Sequence, residues 1–294
     1  MTDNSQTGDQ HLKSIFESTL NRQGHPFQYA VIRRAHELHD ERRSPWVFEV
    51  SEFPVEVQGY HTRVDFILSQ WAESLSAPFR FLVAECKRVN PALSDWMFAR
   101  APYVGRGGTT RDILVERVRR AGQDIASSYG RLDGSENIYH LGFEVKSTAT
   151  GDPGGGGRGA IEDAATQVTR GVNGLIDCLS KHRRHLCEDF PVAFVPAIFT
   201  TARLWATELD LANTDIVQGQ VALGSVDVVH KSWLWLQYHV SPGLKHSVDR
   251  QVAKDEPFPR PNLGHLLEME YARTIAIVAS TGVDDFLASQ RWII

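Results

Sequence analysis

The chain predicts an α/β protein whose mixed central sheet is flanked by helices. Three observations carry this expectation. Strand-length runs rich in apolar residues recur at residues 61–68, 79–88 and 191–202. Segments with apolar residues at helical spacing lie around them, at 11–21, 26–42 and 160–182. No stretch of about 20 apolar residues occurs, so no membrane partner is expected.

In chain order, residues 1–10 are polar and acidic and read as a disordered tail. They have neither the basic nor the apolar segment of a signal peptide. Residues 11–294 read as a single domain. Leu12, Ile15, Phe16 and Leu20 share one face of a first helix. Gly24-His-Pro26 interrupts it, and Pro26 is suited to open the next helix. That helix carries Phe27, Val31, Ala35 and Leu38 on one side and Arg33, Arg34, Arg42 and Arg43 on the other. Residues 46–57 alternate as a strand, with Glu49 and Glu52 near the middle and Pro54 marking an edge or bulge. Gln58-Gly59-Tyr60 turns into the strand of Asp65, and residues 71–78 link that strand to the next.

Residues 90–158 read as an insertion. An irregular stretch covers 89–110, a helix bearing Arg117, Arg119 and Arg120 is expected over 110–129, and a strand over 138–146. The glycine-rich run 151–159 lacks the Gly-x-x-x-x-Gly-Lys-Ser/Thr order of a nucleotide-binding loop. Helix 160–182 has the longest apolar stripe, from Ile161 to Leu179. Cys178, His182, His185 and Cys187 at its end read as a cationic helix terminus rather than a zinc site. A buried strand over 191–202, further strands over 220–240, a strand over 274–279 and a helix over 282–291 complete the reading.

Composition sets bounds. With 42% apolar and 23% charged residues the chain is an ordinary globular one. Three cysteines, an odd count, suit reduced thiols in a cytoplasm better than a disulfide framework. A net charge of −5 argues against a protein that coats nucleic acid by bulk attraction. It leaves room for an acidic metal site with local basic patches.

The chemistry lies in charges that break into apolar strands. A buried carboxylate without a partner costs several kcal/mol, so such a residue is usually paired or metal-bound. Asp65 sits in Val-Asp-Phe-Ile, and Glu85 and Lys87 end Phe-Leu-Val-Ala-Glu-Cys-Lys. Two residues apart on a strand, Glu85 and Lys87 face the same way, behind Phe81 and Val83. An antiparallel pairing of the two strands brings Asp65 to them. Two carboxylates and the Cys86 carbonyl suit a hard cation such as Mg²⁺, with Mn²⁺ as a substitute. Roughly 0.4 Glu-x-Lys triplets are expected by chance in a chain with 17 Glu and 7 Lys, and two are present. The second, Glu144-Val-Lys146, is a competing pair, or adds its charge to the same site if its strand lies beside that of Glu85.

This set resembles the PD-(D/E)xK nuclease superfamily, with the restriction-endonuclease-like fold. The resemblance covers roughly residues 12–90 and 160–205, with Val64 where the family writes proline. It implies that Asp65 and Glu85 are metal ligands and that Lys87 is the catalytic lysine; the strands read over 220–240 and 274–279 are extra to it. The family's helix acid, in Gly-x-x-Phe-Glu, is matched by Gly24-His-Pro-Phe-Gln28, with glutamine in its place. Glu17, Glu37 or Glu49 stand as substitutes. Gln167 matches a glutamine that faces the site in some branches. The implied activity is Mg²⁺-dependent hydrolysis of phosphodiesters, DNA first, by a cytoplasmic defence endonuclease that acts as a homodimer or with a partner protein. Arg33, Arg34, Arg117 and Arg120 are the expected nucleic-acid contacts. The alternative is a catalytically inactive module of the same fold that binds nucleic acid or protein.

Overall fold

Phe79–Lys87 and Val192–Thr200 are apolar on both alternating faces, and each becomes a strand buried on both sides. In the computed structural model these two strands pair in parallel, Phe79↔Val192 through Lys87↔Thr200, and form the middle of the central sheet. The described residues are 4–22, 24–57, 59–71, 79–90, 93–100, 113–121, 124–132, 137–145, 159–182, 192–208, 217, 219–220, 227–239 and 272–289.

The elements are α1 (Asn4–Arg22), α2 (His25–Asp40), β1 (Val47–Val57), β2 (Tyr60–Gln70), β3 (Phe79–Lys87), β4 (Asp95–Arg100), β5 (Ile113–Ala121), β6 (Asp124–Leu132), β7 (Ile138–Tyr139) and β8 (Leu141–Val145). They continue with α3 (Ala160–His182), β9 (Val192–Thr200), β10 (Arg203–Glu208), β11 (Val228–Lys231), β12 (Trp233–His239), β13 (Ala272–Ala279) and, after a short 3₁₀ turn, α4 (Val283–Ser289). The central sheet has nine strands in the order β1-β2-β3-β9-β13-β12-β7, with the β5–β6 hairpin joined to the first half of β9's free edge. A four-stranded sheet, β11-β10-β4-β8, continues from β9 through Thr201 and Ala202. The molecule is thus a mixed α/β structure with helices on both faces of a mixed sheet.

Two cores define the layers. On one face α3 packs Ala165, Val168, Val172 and Leu175 against Val64, Phe81, Val83, Phe194 and Ile198. On the other, α2 and α4 pack Val31, Ala35, Leu38, Phe286 and Leu287 against Phe66, Leu82, Ala84, Cys86 and Phe199. The alternation of β3 therefore aims Glu85 and Lys87 toward α3. Glycines fix how closely α3 lies. A Cβ on Gly171 would stand 2.9 Å from Val64 Cγ2, and one on Gly174 would stand 2.5 Å from Val55 Cβ.

Several expectations change. The helix expected over 110–129 is the β5–β6 hairpin, Ile113↔Leu132 through Ala121↔Asp124. Leu114, Val118 and Ile125 fit a helical stripe, but Ile113, Val115 and Val118 are β-branched residues that favour strands, and pairing of Glu116–Val118 with β9 decides the outcome. Within the segment 90–158, β5 and β7 join the central sheet and β4 and β8 the second. Residues 4–10, expected as a disordered tail, lie in α1. The apolar stripe of that helix faces solvent, with Leu12, Ile15, Phe16 and Leu20 each 45–62% exposed. Pro54 lies on the edge strand β1, as expected, and that strand carries a bulge. His185 and Cys187 of the expected cationic helix terminus, and Lys146 of the second triplet, lie outside the described residues. Among the described residues no helix is long and apolar enough to cross a membrane.

Candidate active site

The site forms where two strands stop pairing. β2 and β3 pair antiparallel from Gln70↔Arg80 to Phe66↔Ala84 and then separate. At the next position the Asp65 carboxylate, not a backbone carbonyl, accepts the Cys86 N–H, with Oδ2 at 2.6 Å. This anchors Asp65 beside Glu85, as the antiparallel reading expects. Lys87 Nζ lies 2.8 Å from Glu85 Oε1. It also donates to Gln167 Oε1 on α3, at 2.5 Å. The close seat of Gly171 and Gly174, one and two turns beyond Gln167, lets the amide reach the lysine.

Burial sets the electrostatics. Glu85 is only 6% exposed, and its carboxyl is pushed up to about 7, first by burial and then by the charge of Asp65. Burial also raises Asp65, against the stabilising Cys86 N–H. One ammonium faces these carboxylates, so an anionic pair in this position is under-compensated.

A third carboxylate completes the set. Gln28, in the first turns of α2 and 2% exposed, donates to Glu52 Oε1 at 2.8 Å and to the Asp65 carbonyl at 2.7 Å. Glu52 adds to the negative charge felt by both Asp65 and Glu85. Its backbone has φ 54, uncommon for a residue with a Cβ. Here the β1–β2 pair changes face. Val64 packs toward α3 although Phe66, two residues on, packs toward α2, and Val50 and Val55 both pack toward α3. The break falls between the rungs Ser51↔Phe66 and Phe53↔Val64. His25 Nδ1 is 3.7 Å from Glu52 Oε1, and Arg63 Nη1 is 4.0 Å from Oε2. Gly24, just before α2, stands near the Cys86 carbonyl.

Other expected residues lie elsewhere. Glu49 accepts a hydrogen bond from Ser69 Oγ and stays exposed. Glu17 is an exposed residue of α1, and Glu37 pairs with Arg33 and Arg34 on α2. Arg34 is not free for phosphate, because it donates to both oxygens of Asp284 on α4, at 2.7 and 2.5 Å. Arg33 is 77% exposed, 3.6 Å from Glu37. Arg117 and Arg120 stand on β5, opposite Ala193 and Ile125. Glu144 does not share the site, since β8 pairs with β4 and not β3. Its carboxylate lies against Gly159 at the N-terminal end of α3, where the helix dipole favours a negative charge. Sequence reasoning passed over Glu52; its signal was an acid two residues before Pro54 on an edge strand.

The donor chemistry fits a hard divalent cation. All the donors are oxygens, and the carboxylates of half-buried Asp65 and buried Glu85 lack a full countercharge. Among the described residues no group of three or more His, Cys, Asp or Glu side chains converges to hold a metal on side chains alone. The fit therefore requires the Cys86 carbonyl and solvent as further ligands. No family model matches the chain, and neither does any curated protein or solved structure.

Proposed function

We propose that this protein is a metal-dependent nuclease of the PD-(D/E)xK type, with a restriction-endonuclease-like core, that hydrolyses phosphodiester bonds, DNA being its first candidate substrate. The observation that carries the reading is the placement of Asp65, Glu85 and Lys87 at the point where β2 and β3 part. Asp65, Glu85 and the Cys86 carbonyl would hold Mg²⁺ or Mn²⁺. Such a cation, when bound, lowers the pKa of water and offsets charge on the phosphate. Lys87 orients the attacking water and faces the phosphate with a positive charge. Gln167 keeps its ammonium in place. The Cys86 N–H fixes one oxygen of Asp65 and leaves the other for the cation.

The inactive-module reading rested on glutamine at position 28 and on the negative net charge. Glu52 beside that glutamine weakens the first of these. The test is cleavage of plasmid and linear DNA with Mg²⁺, Mn²⁺ or EDTA, beside Lys87→Ala. Metal-dependent cutting that the variant loses is the expected result. No cutting, with calorimetry finding no Mg²⁺ or Mn²⁺ binding, would overturn it.

A further inference from the structure

We infer that Glu52, tethered by Gln28, is a third acid of the cation site, acting on the cation by its charge and through bound solvent. The inference rests on the nuclease reading above. It replaces the expected helix acid with a strand acid held by a helix amide.

Four features lead to it. Gln28 is buried, and its single amide nitrogen bridges Glu52 Oε1 and the Asp65 carbonyl. Any movement of Glu52 is therefore felt at the backbone of a proposed ligand. The left-handed backbone of Glu52, φ 54, falls in the gap between the rungs Ser51↔Phe66 and Phe53↔Val64, opposite Asp65, where the β1–β2 pair changes face. Without that change an acid at position 52 would follow the regular alternation of the strand. The amide occupies one oxygen of Glu52 and leaves Oε2, whose nearest cation is Arg63 at 4.0 Å, a distance without a hydrogen bond. Finally, the basic side chains nearest Glu52 are Arg63, which is 68% exposed, and His25, 57% exposed, so both stand in solvent. Among the described residues, Lys87 is the one cation held beside Asp65 and Glu85, and Glu52 adds its charge to theirs, an imbalance that a divalent ion answers.

Glu52 is a positioning and charge-setting group in this scheme, as carboxylates that orient a ligand through a hydrogen bond are. Removing such an outer partner costs metal affinity about 10- to 100-fold in known sites. The exposed acid Glu49, three residues earlier and bonded to Ser69, lacks this link and serves as the control.

The test measures Mn²⁺ affinity by calorimetry on the full chain, with no nucleic acid present. Glu52→Gln, close in shape, should weaken Mn²⁺ about 10- to 100-fold while leaving the metal-free melting temperature near that of wild type. Gln28→Leu should weaken it in the same direction although every carboxylate remains. Glu49→Gln should bind as wild type does. Wild-type affinity in Glu52→Gln, with Asp65→Asn losing the ion, would overturn this inference and leave the nuclease reading standing. A wild-type chain that binds no Mn²⁺ would overturn both.

Discussion

The chain contains the same triplet twice, and the two copies have different surroundings. Glu85-Cys-Lys87 ends a strand whose neighbours β2 and β9 bury it on both sides. Glu144 lies on β8, an edge strand of the smaller sheet whose side chains are half-buried or exposed. Glu85 has a second carboxylate beside it, an ammonium at 2.8 Å and a carboxyl driven up to about 7. Glu144 has the backbone end of α3. The comparison teaches that a Glu-x-Lys spacing gains chemical meaning from burial and from a neighbouring strand that stops pairing. Neither is present in the triplet itself.

The largest test of this contrast is catalytic. Lys87→Ala and Asp65→Asn should each lower cleavage by about 10²- to 10⁴-fold, read as initial rates on plasmid DNA. Glu144→Gln should leave the rate within about twofold of wild type, a surface-type effect. Equal losses in both triplets would break the comparison.

The second test concerns the seat of α3. Gly174→Ala places a carbon 2.5 Å from Val55 Cβ, and Gly171→Ala one 2.9 Å from Val64 Cγ2. Overpacking of this kind costs about 1–3 kcal/mol. Both variants should melt lower than wild type. Both should also cleave more slowly, because the displaced helix takes Gln167 from Lys87.

The third is pH dependence. Glu85 has a folded pKa of about 7 against an ordinary 4.5. The folded state therefore holds the extra proton between these values, and its stability falls as pH rises through that window. In EDTA the loss should be on the order of 2 kcal/mol, and Glu85→Gln should remove most of it. Denaturant melts at pH 5 and pH 8 measure the difference. A wild-type chain equally stable at both would contradict the burial argument.

The smallest expected effect is at the second triplet. Glu144→Gln removes a charge from the start of α3 and should cost about 0.3–1 kcal/mol, seen as a small drop in melting temperature without a change in cleavage.

What the sequence made legible follows from how local each cause is. β3 and β9 announce themselves because their runs are apolar on both faces. The triad of Asp65, Glu85 and Lys87 is legible because a two-residue repeat places it. Arg34 was misread because its partner Asp284 is 250 residues away. The β5–β6 hairpin was misread because its apolar residues also fall at helical spacing, and the choice is made by the distant edge of β9. Glu52 was missed for a different reason. Strand arithmetic assumes that faces alternate without interruption, and the left-handed backbone of Glu52 breaks that assumption in the gap of pairing opposite Asp65.

Gly171 and Gly174 have a last consequence. They leave α3 and the sheet with no clearance between them, so the reach of Gln167 to Lys87 is set by the absence of atoms. A fit of that kind has a one-sided tolerance. Nothing smaller than hydrogen can loosen it, while a single added carbon wedges the helix outward. The proposed catalytic lysine is therefore held to tolerance by a joint one to two helical turns away, in residues that carry no chemistry of their own.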